Sequence, residues 1–377
     1  MIFTEEQLSV QELVKDFAKK ELEPIAAELD QTGRFPKEII SKMAELGITA
    51  LNVPEVYGGA GLDTVSEVLI ITELAKKCAS TAEIIAVHTL VNSIFINHGN
   101  EEQKKKYLGM AAEGKIGAFA LTEPGAGSDA SAAKTKAESD GDFYVLNGTK
   151  CFISNMGPEE GDYVVVIALT NPELKTKGMS AIVVDRGTPG FSIGKTESKM
   201  GLHAAAVSEL IFDNCRVPKS NLIGNEGEGF KIAMKALDGG RIGMASQALG
   251  ISDAAIEASV QYTKERVQFG KPISALQGIQ WYIADMAART EAARALVLTA
   301  AEAYDNKQPV TKLASMAKYI ASENGVWVTN KALQIHGGYG YMTDYPIERM
   351  YRDARIIPLY EGTSEIQKVV IAREVMK

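Results

Sequence analysis

Residues 116–154 read IGAFALTEPGAGSDASAAKTKAESDGDFYVLNGTKCFIS, and their punctuation decides the fold. Asp140-Gly141 and Asn147-Gly148 are dipeptides that accept the positive backbone angles of hairpin turns, and they bracket the short run Asp142 to Leu146. Further β-rich runs follow at Tyr163 to Leu169 and Met179 to Val184. No helical period separates these runs, so the spacing predicts an antiparallel sheet or barrel without crossover helices.

On either side of this block the period changes from 2 to 3.6. Thr4 and Gln7 stand at capping-box spacing, and Leu8, Leu13, Val14, Phe17 and Ala18 mark one helical face behind them. Helical patterns recur to about residue 115 and resume from about Gly227, with Ala-rich segments at Ile279 to Ala303 and Thr311 to Leu333. There is no internal repeat and no low-complexity linker. The order is α, then β, then α: an α+β chain, mainly α, with divisions expected at 1–118, 119–226 and 227–377.

At 377 residues the chain is long enough for two or three packed units sharing one large core. The formal charge of −8 speaks against a protein whose main task is to hold nucleic acid. The first twenty residues carry acids and no apolar block, unlike a secretory or transit segment, and no run of about 18 apolar residues occurs. A cytoplasmic protein without membrane insertion is expected. Cys78, Cys151 and Cys215 are dispersed and odd in number, and His88, His98, His203 and His336 have no metal-ligand spacing, so neither disulfides nor a metal site are expected.

Three segments carry candidate chemistry. Residues 120–129, ALTEPGAGSD, follow a strand-like run, and their glycines let backbone N–H groups approach an anion. Gly125, Gly127 and Ala130 fit the dinucleotide pattern GxGxxA, but that fingerprint needs a long helix, and the Asp140-Gly141 hairpin signal arrives too soon. Residues 334–341, QIHGGYGY, read as a helix C-cap, and the pairs Glu348 with Arg352 and Arg349 with Asp353 read as a solvated helix. Residues 360–367, YEGTSEIQ, place Ser364 and Gln367 at capping-box spacing ahead of a helix with Ile366, Val369 and Val370 inward. Glu361 sits between an apolar run and Gly362. A carboxylate in such surroundings has its charged form disfavoured and becomes a better base.

Together ALTEPGAGSD at 120–129, QIHGGYGYMTDYPIERMYRD at 334–353 and YEGTSEIQ at 360–367 resemble the acyl-CoA dehydrogenase family, over essentially the whole chain. The resemblance implies an N-terminal helical domain, a middle β-barrel-like domain and a C-terminal four-helix bundle, assembled as a homotetramer with FAD. It implies Glu361 as the base that removes the α proton, with Tyr360 and Gly362 beside the substrate. Leu121 and Thr122 would face the flavin pyrimidine, and Gly127 and Ser128 the FAD pyrophosphate, Ser128 also touching acyl-CoA. Phe152, Ile153 and Ser154 match the second flavin contact, where many members have Trp and Thr in place of Phe and Ser. Arg266, Gln268, Phe269 and Gln277 match the arm that reaches the partner subunit's FAD, and Gln334, Gly337 and Gly338 the segment that meets the same nucleotide. Thr363 and Glu365 would meet the subunit's own FAD, and Asp238 and Arg241 the CoA portion.

A family subset carries its base at the position of Gly240, and glycine cannot serve, which leaves Glu361 and favours straight-chain substrates. No Arg or Lys lies between Lys77 and Lys104 to face a dicarboxylyl-CoA. The expected reaction is butyryl-CoA to crotonyl-CoA, with electrons passed to an electron transfer flavoprotein. A non-catalytic flavoprotein of the same fold, or an acyl-CoA oxidase, are the alternatives.

Overall fold

The side chain of Thr4 accepts from Gln7 N–H and the Gln7 side chain reaches back to Thr4 N–H, so the capping box opens α1 (Glu5–Phe17) as the sequence predicts. The structure is a computed structural model describing residues 3–377. α1 buries Val14 and Phe17, whereas Leu8 and Leu13 remain exposed at the margin of that face. α2 (Ala26–Thr32) and α3 (Lys37–Glu45) follow, then α4 (Thr64–Lys77), α5 (Ala79–His98) and the single turns α6 (Glu101–Gln103) and α7 (Gly109–Ala112). By length and composition α5 is apolar enough to cross a membrane, but 89% of that window is buried inside the protein, which makes it a core helix.

The middle domain comprises β1 (Gly117–Ala120), β2 (Lys136–Asp140), β3 (Phe143–Ser154), β4 (Tyr163–Leu169), β5 (Met179–Asp185), β6 (Phe191–Thr196), β7 (Val207–Pro218) and β8 (Leu222–Ile223). They form one eight-stranded sheet in the order β6-β7-β3-β2-β4-β5-β8, with β1 also on β4. The sheet is mainly antiparallel, as expected, but two of its pairs are parallel. β1 and β2 both run parallel to β4, because the loop between them is too long for a hairpin and carries the chain back to the same edge. β4 is apolar throughout because both its faces are covered: Val165 and Ile167 join one core with α5, while Val164, Val166 and Ala168 join another within the sheet.

The C-terminal domain is built on α8 (Gly229–Glu265), which turns through the hairpin β9 (Val267–Gln268) and β10 (Lys271–Pro272) into α9 (Gln277–Asp305) and α10 (Thr311–His336). α11 (Ile347–Ala354) and α12 (Ser364–Val375) close it. Two expectations change here. α11 is not merely a solvated helix: Arg352 makes the expected pair with Glu348 but also grips Asp30 of the N-terminal domain, and Asp353 turns inward to accept Leu202 N–H at 2.7 Å. α12 is capped by Thr363 rather than Ser364, and it buries Ser364 and Gln367 while Val369 stays exposed. Its inner face is polar because Ser364 Oγ donates to Glu323 and Gln367 holds the preceding turn.

Candidate active site

Ile357 and Pro358 pack inward and turn the chain sharply between α11 and α12, so that Glu361 takes φ 54° and Gly362 φ 90°. A non-glycine residue in the left-handed region persists only where its surroundings over-determine it. Here Lys318 Nζ donates to Gly362 O at 2.7 Å, and Gln367 Nε2 donates to the carbonyls of Glu361 and Gly362 at 3.1 and 2.9 Å. Tyr360 OH donates to Gln247 Oε1, and the Gln247 amide donates to Ala79 O at 2.8 Å.

The Glu361 side chain lies over Gly240 of α8 and beside Leu90 of α5, with Oε2 sealed and without a hydrogen-bond partner among the described residues. Burial pushes this carboxyl up to about 7, although the Arg241 and Lys318 charges pull it down; Glu83 adds a further push upward. Arg241 is 5% exposed, bonds Asp238 Oδ1 at 2.8 Å and leaves its Nε unpaired, while Asp238 Oδ2 accepts from Thr311 at 2.6 Å. Lys318 is fully buried, and burial lowers its ammonium to about 8 against the pull of Glu361. Two buried cations thus stand behind one buried carboxyl.

The glycine loop is anchored by residues that the motif reading did not single out. Glu123 accepts from Lys134 N–H, Thr135 N–H and Lys150 Nζ at 2.6, 2.9 and 2.8 Å, and Lys150 Nζ also donates to Leu121 O. Thr122 O accepts Cys151 N–H, which ties the loop to β3. Ser128 is exposed, and a Cβ on Gly125 or Gly127 would meet nothing within 4 Å, so the loop presents free backbone. A 3₁₀ turn at Ala130–Ala132 and then β2 follow, where a dinucleotide fold would need a long helix.

β3 bulges between Lys150 and Ile153, where Cys151 and Phe152 face the single residue Glu209 on β7. The extra residue turns Phe152 outward at φ 57° with 66% of its surface exposed, Ile153 stays buried, and Ser154 Oγ donates to Glu83 Oε1 at 2.7 Å. Bulges of this kind re-aim a side chain. Glu83, Leu90, Ser154 and Glu361 bring all three domains to one place, and Thr363 and Glu365 adjoin it at the start of α12.

The other expected contacts form a separate cluster. Arg266 lies over the Tyr339 ring at 5.3 Å, which joins the β9–β10 hairpin, with Gln268 and Phe269, to Gln334, Gly337 and Gly338 at the end of α10. Phe269 is 89% exposed. From Lys318 to Gln334 is ~24 Å along α10 at a helical rise of ~1.5 Å per residue, so this cluster does not touch Glu361 within one chain.

Lys318, Lys150, Glu123 and Glu83 escaped sequence reasoning. A signal existed for Lys318, which interrupts the buried Ala314, Ala317 and Ala321 face of α10, and for Glu83, the single acid of α5.

The site thus comprises a desolvated carboxyl on a strained turn where three domains meet and, on the middle domain, an open glycine loop and an everted aromatic ring. Models of the acyl-CoA dehydrogenase N-terminal, middle and C-terminal domains match residues 4–115, 118–215 and 227–376. The chain belongs to the acyl-CoA dehydrogenase family. It is 57% identical to acryloyl-CoA reductase (NADH) of Anaerotignum propionicum, over 99% of this chain and 95% of that one. The butyryl-CoA dehydrogenase structure from Megasphaera elsdenii superposes with a TM-score of 0.98 at 44% identity, covering 100% of both chains. A chain in a structure described as the electron transferring flavoprotein of Acidaminococcus fermentans has a TM-score of 0.98 at 46% identity, covering 100% of this chain and 99% of that one.

Proposed function

We propose that this chain is an FAD-dependent dehydrogenase of short acyl-CoA thioesters, taking butyryl-CoA to crotonyl-CoA, with Glu361 as the base. The observation that carries this is the sealed, unpartnered Glu361 Oε2 held near neutral pKa on its strained turn. An α proton of a thioester is weakly acidic, and its removal needs a desolvated carboxylate beside a polarised thioester oxygen. The Glu361 N–H has no partner among the described residues and is free to donate to that oxygen. Arg241 and Lys318 keep a fraction of the carboxyl ionised at neutral pH. Tyr360, held by Gln247, fixes the side of the turn that meets the acyl chain.

The residues present fit a flavin. Phe152 offers an exposed ring, Leu121, Thr122 and Ser154 adjoin it, and the open backbone at Gly127 and Ser128 suits a pyrophosphate. When bound, the flavin accepts the hydride from the β carbon. Thr363 and Glu365 would hold the same nucleotide. The distant Arg266, Gln268, Phe269, Gln277, Gln334, Gly337 and Gly338 would hold that of a neighbouring subunit, which supports a homotetramer. Division at 118/119 and 226/227, a cytoplasmic location and an electron transfer flavoprotein as partner complete the reading, the last supported by the Acidaminococcus likeness.

The likeness to acryloyl-CoA reductase favours a second reading, the same site run backward on a short enoyl-CoA, with protonated Glu361 donating to the α carbon. A carboxyl near 7 is populated in both forms at neutral pH and serves either direction. The test is anaerobic titration of the flavin-loaded protein with butyryl-CoA, following bleaching of the flavin. Rapid bleaching in the parent, with binding but no bleaching in Glu361→Gln, supports the assignment. A mutant that bleaches as fast as the parent defeats it.

A further inference from the structure

The face of α8 that carries Gly240 continues one turn deeper to Gly243, where a Cβ would lie 3.3 Å from Glu67 Oε1 of α4 and 3.4 Å from Ala86 Cβ of α5. A second carboxyl therefore stands on the glycine-lined face that Glu361 occupies, about 4.5 Å farther along the helix axis. Glu67 is half-buried, and among the described residues no hydrogen bond or cation acts on it: burial, and after it the like charge of Asp305, push its carboxyl up to about 8. The Tyr304 hydroxyl lies 3.4 Å from the Cβ position of Gly239, and the Tyr304 ring feels the charge of Glu67. A third acid, Glu83, lies one turn before Ala86 on α5. It is 2% exposed, with Oε1 held by Ser154 and Oε2 buried without a partner.

A pocket end meant only for alkyl groups has no use for these acids. A buried carboxyl oxygen without a partner, as Glu83 Oε2 is, costs roughly 1–3 kcal/mol, and a hydrocarbon tail leaves that cost in place. Carboxylates beside an aromatic ring are instead the groups that receive a cation. We propose that the acyl pocket takes a short acyl thioester bearing an ammonium group on or near C4, received between Glu67 and Tyr304, with Glu83 adding negative potential from α5. Three bonds separate Cα from a nitrogen on C4, a span comparable to the one turn between Gly240 and Gly243. This inference rests on the dehydrogenase reading and names its substrate class. A site that pairs a polar group discriminates against the analogue lacking it far more strongly than a hydrophobic pocket does against a missing methylene.

The experiment is equilibrium dialysis of the flavin-loaded protein with butyryl-CoA and with 4-(trimethylammonio)butyryl-CoA, whose quaternary nitrogen cannot attack its own thioester. The cationic thioester is expected to bind at least tenfold more tightly. That preference should vanish in Glu67→Leu and shrink in Glu67→Gln, the second variant serving if the first fails to fold. Equal or weaker binding of the cationic thioester, or a preference that survives both variants, overturns the inference. Flavin bleaching is scored separately: bleaching by butyryl-CoA without a cation preference overturns this inference alone, whereas no bleaching by either thioester overturns the dehydrogenase reading beneath it.

Discussion

A Cβ placed on Gly240 would lie 2.7 Å from Glu361 Oε2 and 2.5 Å from Leu90 Cδ1. The missing side chain on α8 leaves the space that the carboxyl occupies. Gly240→Ala is therefore expected to displace Glu361 and lower the rate of flavin bleaching by butyryl-CoA at least tenfold, since misplacing a reacting group by about 1 Å costs on the order of 100-fold. Gly239→Ala is the control: the nearest atoms to its Cβ are those of the Tyr304 ring and hydroxyl, at 3.4 to 3.6 Å. That variant should keep the greater part of the activity and gain thermal stability from the better helix former, by up to ~1 kcal/mol. Stopped-flow bleaching and thermal unfolding of the two variants decide the matter.

As the proposed base, Glu361 must be ionised to accept a proton, and its carboxyl lies near 7, so kcat/KM for dehydrogenation should rise with pH through about 7. Enoyl-CoA reduction needs the protonated form and should fall over the same interval. Lys318 lowers the Glu361 value, and Lys318→Met removes that pull while Gln367 still bonds Gly362 O. The acid limb of the dehydrogenation profile should move to higher pH in this variant. A limb that stays in place, or moves down, would show that another group controls it.

The three-part order of the fold was legible because its signals are local: the Asp-Gly and Asn-Gly turns, the alternating runs and the Ala-rich helices each declare themselves within a few residues. What was illegible depends on partners far off in sequence. The parallel pairing of β1 and β2 with β4 follows from where a long loop returns, and Val369 looked buried only because α12 was given an apolar inner face that it does not have. In the site, Glu361 was readable from its apolar neighbours and Gly362, but Lys318 and Glu83 become part of it only when α10 and α5 are laid beside the turn. The bulge that everts Phe152 has no turn dipeptide to mark it.

The burial that raises the Glu361 carboxyl also makes it a liability to the fold. Its folded value, about 7, lies above the ordinary 4.5 of a free carboxyl, so the native state favours the protonated form. Its stability contribution is complete below pH 4.5 and is lost as pH rises through 7, a loss of roughly 3 kcal/mol. Glu361→Gln should accordingly raise the Tm of the flavin-loaded protein at pH 8.5 and change it little at pH 5. A Tm difference that is constant with pH, or larger in acid, contradicts the desolvated state of this carboxyl.

The buried pair Lys150 and Glu123 is the mooring of the glycine loop, and its two members are not equivalent. Burial holds the Lys150 ammonium below its ordinary value, while Glu123 is stabilised as a carboxylate by Lys150 and by two backbone N–H donors. Lys150→Met removes the cation and leaves a carboxylate enclosed with only the backbone donors, a change expected to cost roughly 3 kcal/mol. The loss should fall on the loop, because Leu121 O forfeits its donor in the same step. Flavin retention on dilution should drop in Lys150→Met well before the secondary structure melts, whereas the double variant Lys150→Met with Glu123→Gln should recover part of both stability and flavin, because no uncompensated charge remains. Equal damage in the single and double variants would mean that the loop is held by other contacts.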